Sequence, residues 1–498
     1  MKKSVLFIAA AAVLFSLASC NKNNEPTSKP GTNPSDDPGT VTEKSNKCDI
    51  LTFSIQAGET EIVGDVSAVE KKVVLPVFPE DMDAIVSAKA VYTLSEGATI
   101  SPDPAAQAMD YSKDIKLTVT AEDGTTTKEY TVSSRAVKVK LSVNKVWEES
   151  KTLGQLKIIP AGLEYNTQMF AFAGTDKFVA CDLQVFDLDG NALGKMNTTG
   201  IKDGWIPTSL TNDPNGVVVA CFSDGIDNTL DNVTEGGIYA WVNGYDQAPK
   251  ELWSVTSPET NDFFPVGTNR DFFDLCVGGD VKGDFVMTTY HFLEWNGPWD
   301  GVLIGTYIDL GMHNVFVGKG GEVVDHYVGY TIHTAGDANC WQQMIPVSGN
   351  PDGQYVICDS QNPGGIVYFV QEGSDEPGSD IPLYGTLTVE QVGEEGAEGA
   401  QNYGNYTCGQ GFVVRYFGRD YLIAATEHWH GQYLTIQTLD PTDEDHIVYP
   451  TTEIGMVDEN RVSVAAIFDE EAGVARILYA THRSGGEVFL FEMNRETL

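Results

Sequence analysis

The sequence is short of positive charge. It holds 31 Lys and Arg against 71 Asp and Glu, a formal net charge of −40. Charge of that sign repels phosphate backbones and anionic headgroups, which argues against nucleic acid or an anionic membrane surface as a partner. There is no Walker-type loop, no G-x-S-x-G elbow and no H-E-x-x-H pair. The corresponding phosphate cradle, nucleophile turn and zinc helix are therefore not offered. No CxxC and no Cys/His cluster points to zinc. Beyond one apolar run at the N-terminus, no stretch approaches the ~20 residues that a membrane helix needs.

That N-terminal run is informative. Lys2 and Lys3 form a basic start, Ser4 to Leu17 an apolar core, and the stretch closes on Leu17-Ala18-Ser19-Cys20. Residues 1–19 read as a secretory signal rather than a membrane span. A Cys placed directly after small residues matches a bacterial lipobox, so Cys20 is the expected lipidation site and first mature residue. Residues 20–47 carry that Cys and a tail rich in Asn, Pro, Ser, Thr, Gly and Asp. Such a tail cannot bury a core and is expected to be a flexible tether. The membrane is then met through the lipid anchor only.

Residues 48–136 read as a small β domain. Leu51, Phe53 and Ile55 alternate with polar residues, and Val73 to Val77 and Ala90 to Leu94 form further strands. Ile115 to Ser133 is two alternating strands around Asp123-Gly124, a strong hairpin signal. Some six or seven short strands in about 90 residues fit an immunoglobulin-like sandwich. Nothing in it carries chemistry.

Residues 137–498 repeat one motif six times. An apolar strand runs into a turn rich in Gly, Asp or Asn, and a second apolar strand follows and ends on polar residues. The second strands begin their cores at Phe178, Val217, Phe285, Tyr355, Tyr421 and Ile477, at spacings of 39, 68, 70, 66 and 56 residues. That spread is too wide for a solenoid and suits a β-propeller, whose blades accept insertions. The last repeat has only three strands before the chain ends, so Lys138 to Ser150 is expected to supply its fourth and close the ring. The fold class is thus all-β: an immunoglobulin-like sandwich followed by a β-propeller of six blades, with five and seven as alternatives.

In such a ring the short hairpin turns share one face and the long insertions the other. The insertions include stretches from Ser223, Ser257, His291, Tyr327, Val392 and Thr426. Binding residues concentrate on long loops held by a rigid frame. Five of the eight Trp fall there: Trp205, Trp295, Trp299, Trp341 and Trp429, joined by Tyr403 and Tyr406. A flat ring offers an apolar face to the C–H side of a sugar, while polar neighbours bond its hydroxyls. The alternative is that these rings only pin their own loops.

The second strands end on Asp182, Asp224, His291, Asp359, Glu427 with His428, and His482 with Arg483. Of these, Glu427, His428, His482, His291 and Asp359 are the catalytic candidates, since carboxylates and imidazoles beside a funnel can act as acid and base. Polar strand ends that merely meet water are the plainer reading. Asp224, Asp227, Asp231 and Glu235 share one acidic loop with the oxygen ligands calcium takes, but without EF-hand spacing. No other cofactor is expected. Cys181, Cys221, Cys276 and Cys358 sit in apolar strands and read as core; Cys48 has no evident partner. Cys340 and Cys408 are read as loop residues, paired or free.

The Leu17 to Cys20 signal and the Lys113 to Val132 hairpin, set in this layout, resemble the surface lipoproteins of Bacteroidetes polysaccharide-utilisation systems. The resemblance covers the whole chain in layout. It implies a glycan-binding protein at the outer membrane, on the cell surface rather than the periplasmic side, that passes its ligand to an outer-membrane transporter complex. Asn21-Lys22-Asn23-Asn24-Glu25 matches only part of that group's surface-export signal, and no catalytic residue carries over. Three functions stay open: a non-catalytic carbohydrate-binding protein, a glycan-active lyase, hydrolase or lactonase, and a protein scaffold.

Overall fold

The computed structural model describes residues 44–498 apart from 59, 148, 158–169, 181, 225–234, 256–272, 292–309, 333–341, 360–364, 370–382, 389–406, 429–430, 440–446, 456–461 and 482–485. The chain is nearly all β, folded into several sheets.

The first eight strands are β1 (Ile50–Ala57), β2 (Thr60–Val63), β3 (Asp65–Ser67), β4 (Lys72–Val77), β5 (Lys89–Leu94), β6 (Thr99–Ser101), β7 (Ile115–Thr120) and β8 (Thr127–Ala136). They make a three-stranded sheet in the order β2-β1-β5 and a five-stranded sheet in the order β3-β4-β8-β7-β6. All pairings are antiparallel except β4 with β8. Phe53 and Ile55 from one sheet meet Leu75, Leu117, Tyr130 and Val132 from the other in a single core. Alternation of apolar and polar residues along each strand puts these side chains on the inner faces. The β7–β8 turn holds because Gly124 takes φ +72° without a Cβ penalty. The Asp123 carboxylate accepts the Thr125 and Thr126 N–H groups and the Thr126 hydroxyl.

Two residues after β8 the chain enters β9 (Val139–Lys145), then β10 (Lys151–Thr152). Five four-stranded antiparallel sheets follow, each laid down in sequence order. The first holds β11 (Phe170–Phe172), β12 (Lys177–Ala180), β13 (Gln184–Asp187) and β14 (Ala192–Lys195). The second holds β15 (Ile206–Asn212), β16 (Val218–Ser223), β17 (Gly236–Ala240) and β18 (Lys250–Val255). The third holds β19 (Phe273–Gly279), β20 (Phe285–His291), β21 (Leu310–Lys319) and β22 (Glu322–Ile332). The fourth holds β23 (Gln342–Pro346), β24 (Tyr355–Asp359), β25 (Gly365–Phe369) and β26 (Leu383–Thr388). The fifth holds β27 (Thr407–Tyr416), β28 (Arg419–His428), β29 (Gly431–Thr438) and β30 (Ile447–Gly455).

The last three strands, β31 (Val462–Asp469), β32 (Val474–Thr481) and β33 (Glu487–Thr497), form a sixth sheet among the described residues. Its outer partners come from far back in the chain. Lys145 to Val139 of β9 pairs with Phe491 to Thr497, and β10 pairs with Glu487 and Val488. Within Lys138 to Ser150, β9 supplies the expected outer strand, and β10 adds a two-residue pairing just beyond that stretch. First strands of successive sheets touch all the way round, and β31 touches β11. Because each inner strand is covered on both faces, it is apolar on both: every residue of β16 is buried.

Each of the six seams between neighbouring sheets carries a hydrogen bond in which a side chain reaches across. Asn212 Oδ1 accepts from Phe172 N at 2.9 Å, and Ser209 Oγ accepts from Leu275 N at 3.1 Å. The Thr288 hydroxyl donates to the Met344 carbonyl, and Gln343 Oε1 accepts from Gly411 N at 2.8 Å. Tyr416 OH donates to Gly473 O at 2.9 Å, and Arg476 Nη1 to Thr175 O at 3.0 Å. Asn212 does more, since its Nδ2 donates to Ala466 O of the sixth sheet at 3.0 Å. One carboxamide thus ties three sheets. Beside it, buried Asp213 accepts from Asn215, Val217 and Val281 N–H groups. Burial pushes its carboxyl above the usual carboxylate range while these bonds pull it down. At the third seam the backbones come so close that a Cβ on Gly278 would lie 2.5 Å from Pro346 O.

The N-terminal sheets meet the ring around Arg495. Arg495, near the end of β33, pairs with Glu80 and lies over the rings of Phe78 and Phe417, at 4.3 and 3.6 Å from their centres. Gly418 faces Glu80 beside it. Val137 N also donates to Val77 O, and Leu498 N to Lys138 O.

Several expectations need correcting. Cys408 lies in β27, opposite Thr426, and not in a loop. The stretch from Tyr327 is strand as far as Ile332, because β22 pairs with β21 along its length. From Thr426 to His428 the chain is strand, paired with β29, with Glu427 opposite Gln432 and His428 opposite Gly431. Cys48, Cys221 and Cys276 are buried. Cys358 lies in β24; Cys20, Cys181 and Cys340 lie outside the described residues.

Two measurements check these assignments. Asn212→Ala leaves a buried N–H and a buried carbonyl unpaired, which costs about 3 kcal/mol. Chemical denaturation monitored on the ring should show that loss; an unchanged midpoint would remove Asn212 from the closure. Hydrogen bonds hold the Asp123 pKa down at about 2, against an ordinary 3.8. Its contribution is complete above the ordinary value and is lost as pH falls through the lowered one. Acid titration of the Thr125 and Thr126 amides should show protection fading over that window, and Asp123→Asn should lack that step.

Candidate functional site

The turn between first and second strands marks one end of every sheet in the ring, the hairpin end. Second strands all run away from it. His291 therefore closes β20, Asp359 closes β24 and His428 closes β28 at the opposite end, with Glu427 one residue earlier. Register places His291 opposite Met312, Asp359 opposite Gln342, and Glu427 between Thr407 and Gln432. These four candidates share an end of the ring on successive sheets. His482, Trp295, Trp299, Trp341, Trp429, Tyr403 and Tyr406 lie outside the described residues.

Trp205 is described, and it corrects its expected place among ligand-facing rings. It stands just before β15 and is only 9% exposed. Its ring meets Tyr239 edge-on at 6.5 Å and joins the core of the first two sheets. Gly237 permits this, since a Cβ there would reach within 3.1 Å of the Trp205 ring. Burial, with Glu251 nearby, pushes the Tyr239 phenol up to about 12, so it stays neutral.

The Lys202 ammonium sits 5.7 Å from the centre of the Trp205 ring and pairs with the Glu235 carboxylate. Glu235 is thereby engaged by a cation. Asp224 is exposed, and its N–H donates to the Glu235 carbonyl. Asp227 and Asp231 lie outside the described residues. Among the described residues no group of three acidic, His or Cys side chains is set to hold a metal. On the first sheet, Lys195 Nζ lies 3.7 Å from Asp182 Oδ2 and donates to the Asp182 carbonyl at 3.2 Å. Sequence reasoning singled out Asp182 and Glu235 but missed both lysines. The signal available was weak: Lys202 precedes Trp205 by three residues in one short connection.

A family model described as Domain of unknown function (DUF8499) matches residues 50–134. No curated protein matches the chain. Among solved structures, the parainfluenza virus 5 hemagglutinin-neuraminidase ectodomain is similar at 9% identity and TM-score 0.36, over 72% of this chain and 85% of that one. The β-propeller domain of Cps50 (Swd1) from Myceliophteria thermophila is similar at 9% identity and TM-score 0.30, over 70% and 99%. A protein of unknown function from Bacteroides caccae is similar at 11% identity and TM-score 0.26, over 58% and 72%. At these values the likenesses carry no argument about the site.

The placement of Trp205 has a direct check. Trp205→Ala empties part of a shared core and should cost about 3–5 kcal/mol in thermal or chemical unfolding. A variant that melts like the parent would put the ring back among surface aromatics.

Proposed function

We propose that this chain is a lipid-anchored cell-envelope protein that binds carbohydrate, of the Bacteroidetes polysaccharide-utilisation type. In this reading residues 1–19 are a lipoprotein signal and Cys20 carries the lipid. Residues 20–47 are the tether, 48–136 an immunoglobulin-like domain and 137–498 a six-bladed β-propeller. The protein stands at the outer membrane, on the cell surface, and hands its glycan to a transporter complex.

The observation that carries the reading is which end of the ring is occupied. The N-terminal sheets sit against the hairpin end, where Arg495, Glu80, Phe78 and Phe417 meet. The other end carries the long connections, and their sequences hold Trp295, Trp299, Trp341, Tyr403 and Tyr406. Aromatic rings interleaved with Asp, Asn and Gln are what sugar recognition requires. A second reading, a glycan-active enzyme, draws on the strand-end positions of His291, Asp359, Glu427 and His428 at that same end.

The test is a polysaccharide panel run against the detergent-solubilised full chain. Retardation in native gels is scored beside release of reducing ends or unsaturated products. Retardation without products, lost in Trp295→Ala or Trp429→Ala, is the expected outcome. Products that vanish in Glu427→Gln or His482→Ala would make the protein an enzyme. No signal with any glycan would turn the reading to a protein scaffold.

A further inference from the structure

We infer that the glycan is uncharged, a neutral polysaccharide rather than one built on uronic or sialic acids. The inference rests on the carbohydrate reading and narrows it to a ligand class.

Charge supplies the first half of the argument. Residues 137–498 hold 52 Asp and Glu against 18 Lys and Arg, a net charge of −34. The acidity of the chain therefore lies overwhelmingly in the ring rather than in the N-terminal sheets or the tail. A field of that sign lowers the local concentration of a polyanion and slows its approach.

The second half is what the cations are doing. A sugar carboxylate is recognised by Arg forks or Lys ammonium groups. Of the eighteen Lys and Arg in residues 137–498, seven among the described residues lie against the protein's own carboxylates. Arg476 bonds to Asp469 Oδ2 at 2.6 Å and lies beside Glu492, buried to 13% side-chain exposure. Arg495 is held by Glu80, and Arg415 lies 3.6 Å from Asp420. Lys177 and Lys250 pair with Asp176 and Glu322 at 2.6 Å each. Beside the long connections, Lys195 lies against Asp182 and Lys202 against Glu235. Freeing one of these for a ligand would strand a carboxylate in a domain already strongly negative. A neutral sugar asks for no such exchange, because its hydroxyls bond to Asp, Asn and Gln directly and its C–H faces stack on rings.

The experiment compares polygalacturonate and polysialic acid with a neutral galactan, and with polygalacturonate whose carboxyls have been reduced to alcohols. Binding to the full chain is followed at low salt and at about 0.5 M salt, where the Debye length falls to a few ångströms. The expected result is binding to at least one neutral polymer, unchanged by salt, with the acidic polymers at least about tenfold weaker at low salt. Carboxyl reduction should raise binding of the polygalacturonate backbone. Acidic polymers bound as tightly as neutral ones at low salt, or a reduced polymer that binds less than its parent, would overturn the inference while leaving the carbohydrate reading intact. Absence of binding to every polymer, extended over the wider panel, would overturn both.

Discussion

Ring closure is the constraint on which everything else in this chain depends. Sheets packed around an axis bury both faces only if the last one meets the first. Here that meeting is made twice over. Main-chain pairing of β33 with β9 completes the sixth sheet, and side chains of Asn212 and Arg476 cross the seams on either side of the first. The first sheet needs this help. Its strands are three or four residues long, and β14 is exposed along its whole length. Short strands bury little, so polar bonds to longer neighbours supply the register that area alone would not.

The N-terminal sheets are part of the same construction. β8 leads into β9 through two residues, and Arg495 of β33 returns to Glu80 and Phe78. A guanidinium is weakly hydrated, so lying over two aromatic rings it gives up little hydration and keeps a fixed direction. The described contacts of the N-terminal sheets with the ring lie at its hairpin end. A neutral ligand and an acidic frame are also compatible in a way that an acidic ligand and an acidic frame are not.

The repeat was legible because it is local. Each pair of strands and its turn occupies about twenty consecutive residues, and alternation survives in them. The β7–β8 hairpin was legible for the same reason, with Asp123 and Gly124 at the turn. The seams were not, because Arg476 and Thr175 stand 301 residues apart and Gln343 and Gly411 stand 68 apart. A Ser, Asn or Gln within an apolar strand looks like a flaw until its partner is seen. Tyr327 to Ile332 and Thr426 to His428 read as loop in the sequence because polar residues and glycines break their apolar pattern; pairing with the long strands β21 and β29 makes them strand. Trp205 misled in the opposite direction. A ring beside a strand reads alike whether it faces ligand or core, and Gly237 across the sheet settles it.

The closing pair of strands also sets how the molecule takes a pull. Force applied from the N-terminal side passes through β8 into β9 at Val139, which lies opposite Thr497. The seven residue pairs between β9 and β33 are then strained together along their length, in shear, instead of opening one after another. A chain held at its N-terminal end and loaded at the far end of the ring therefore meets the force with the same strand that completes its fold.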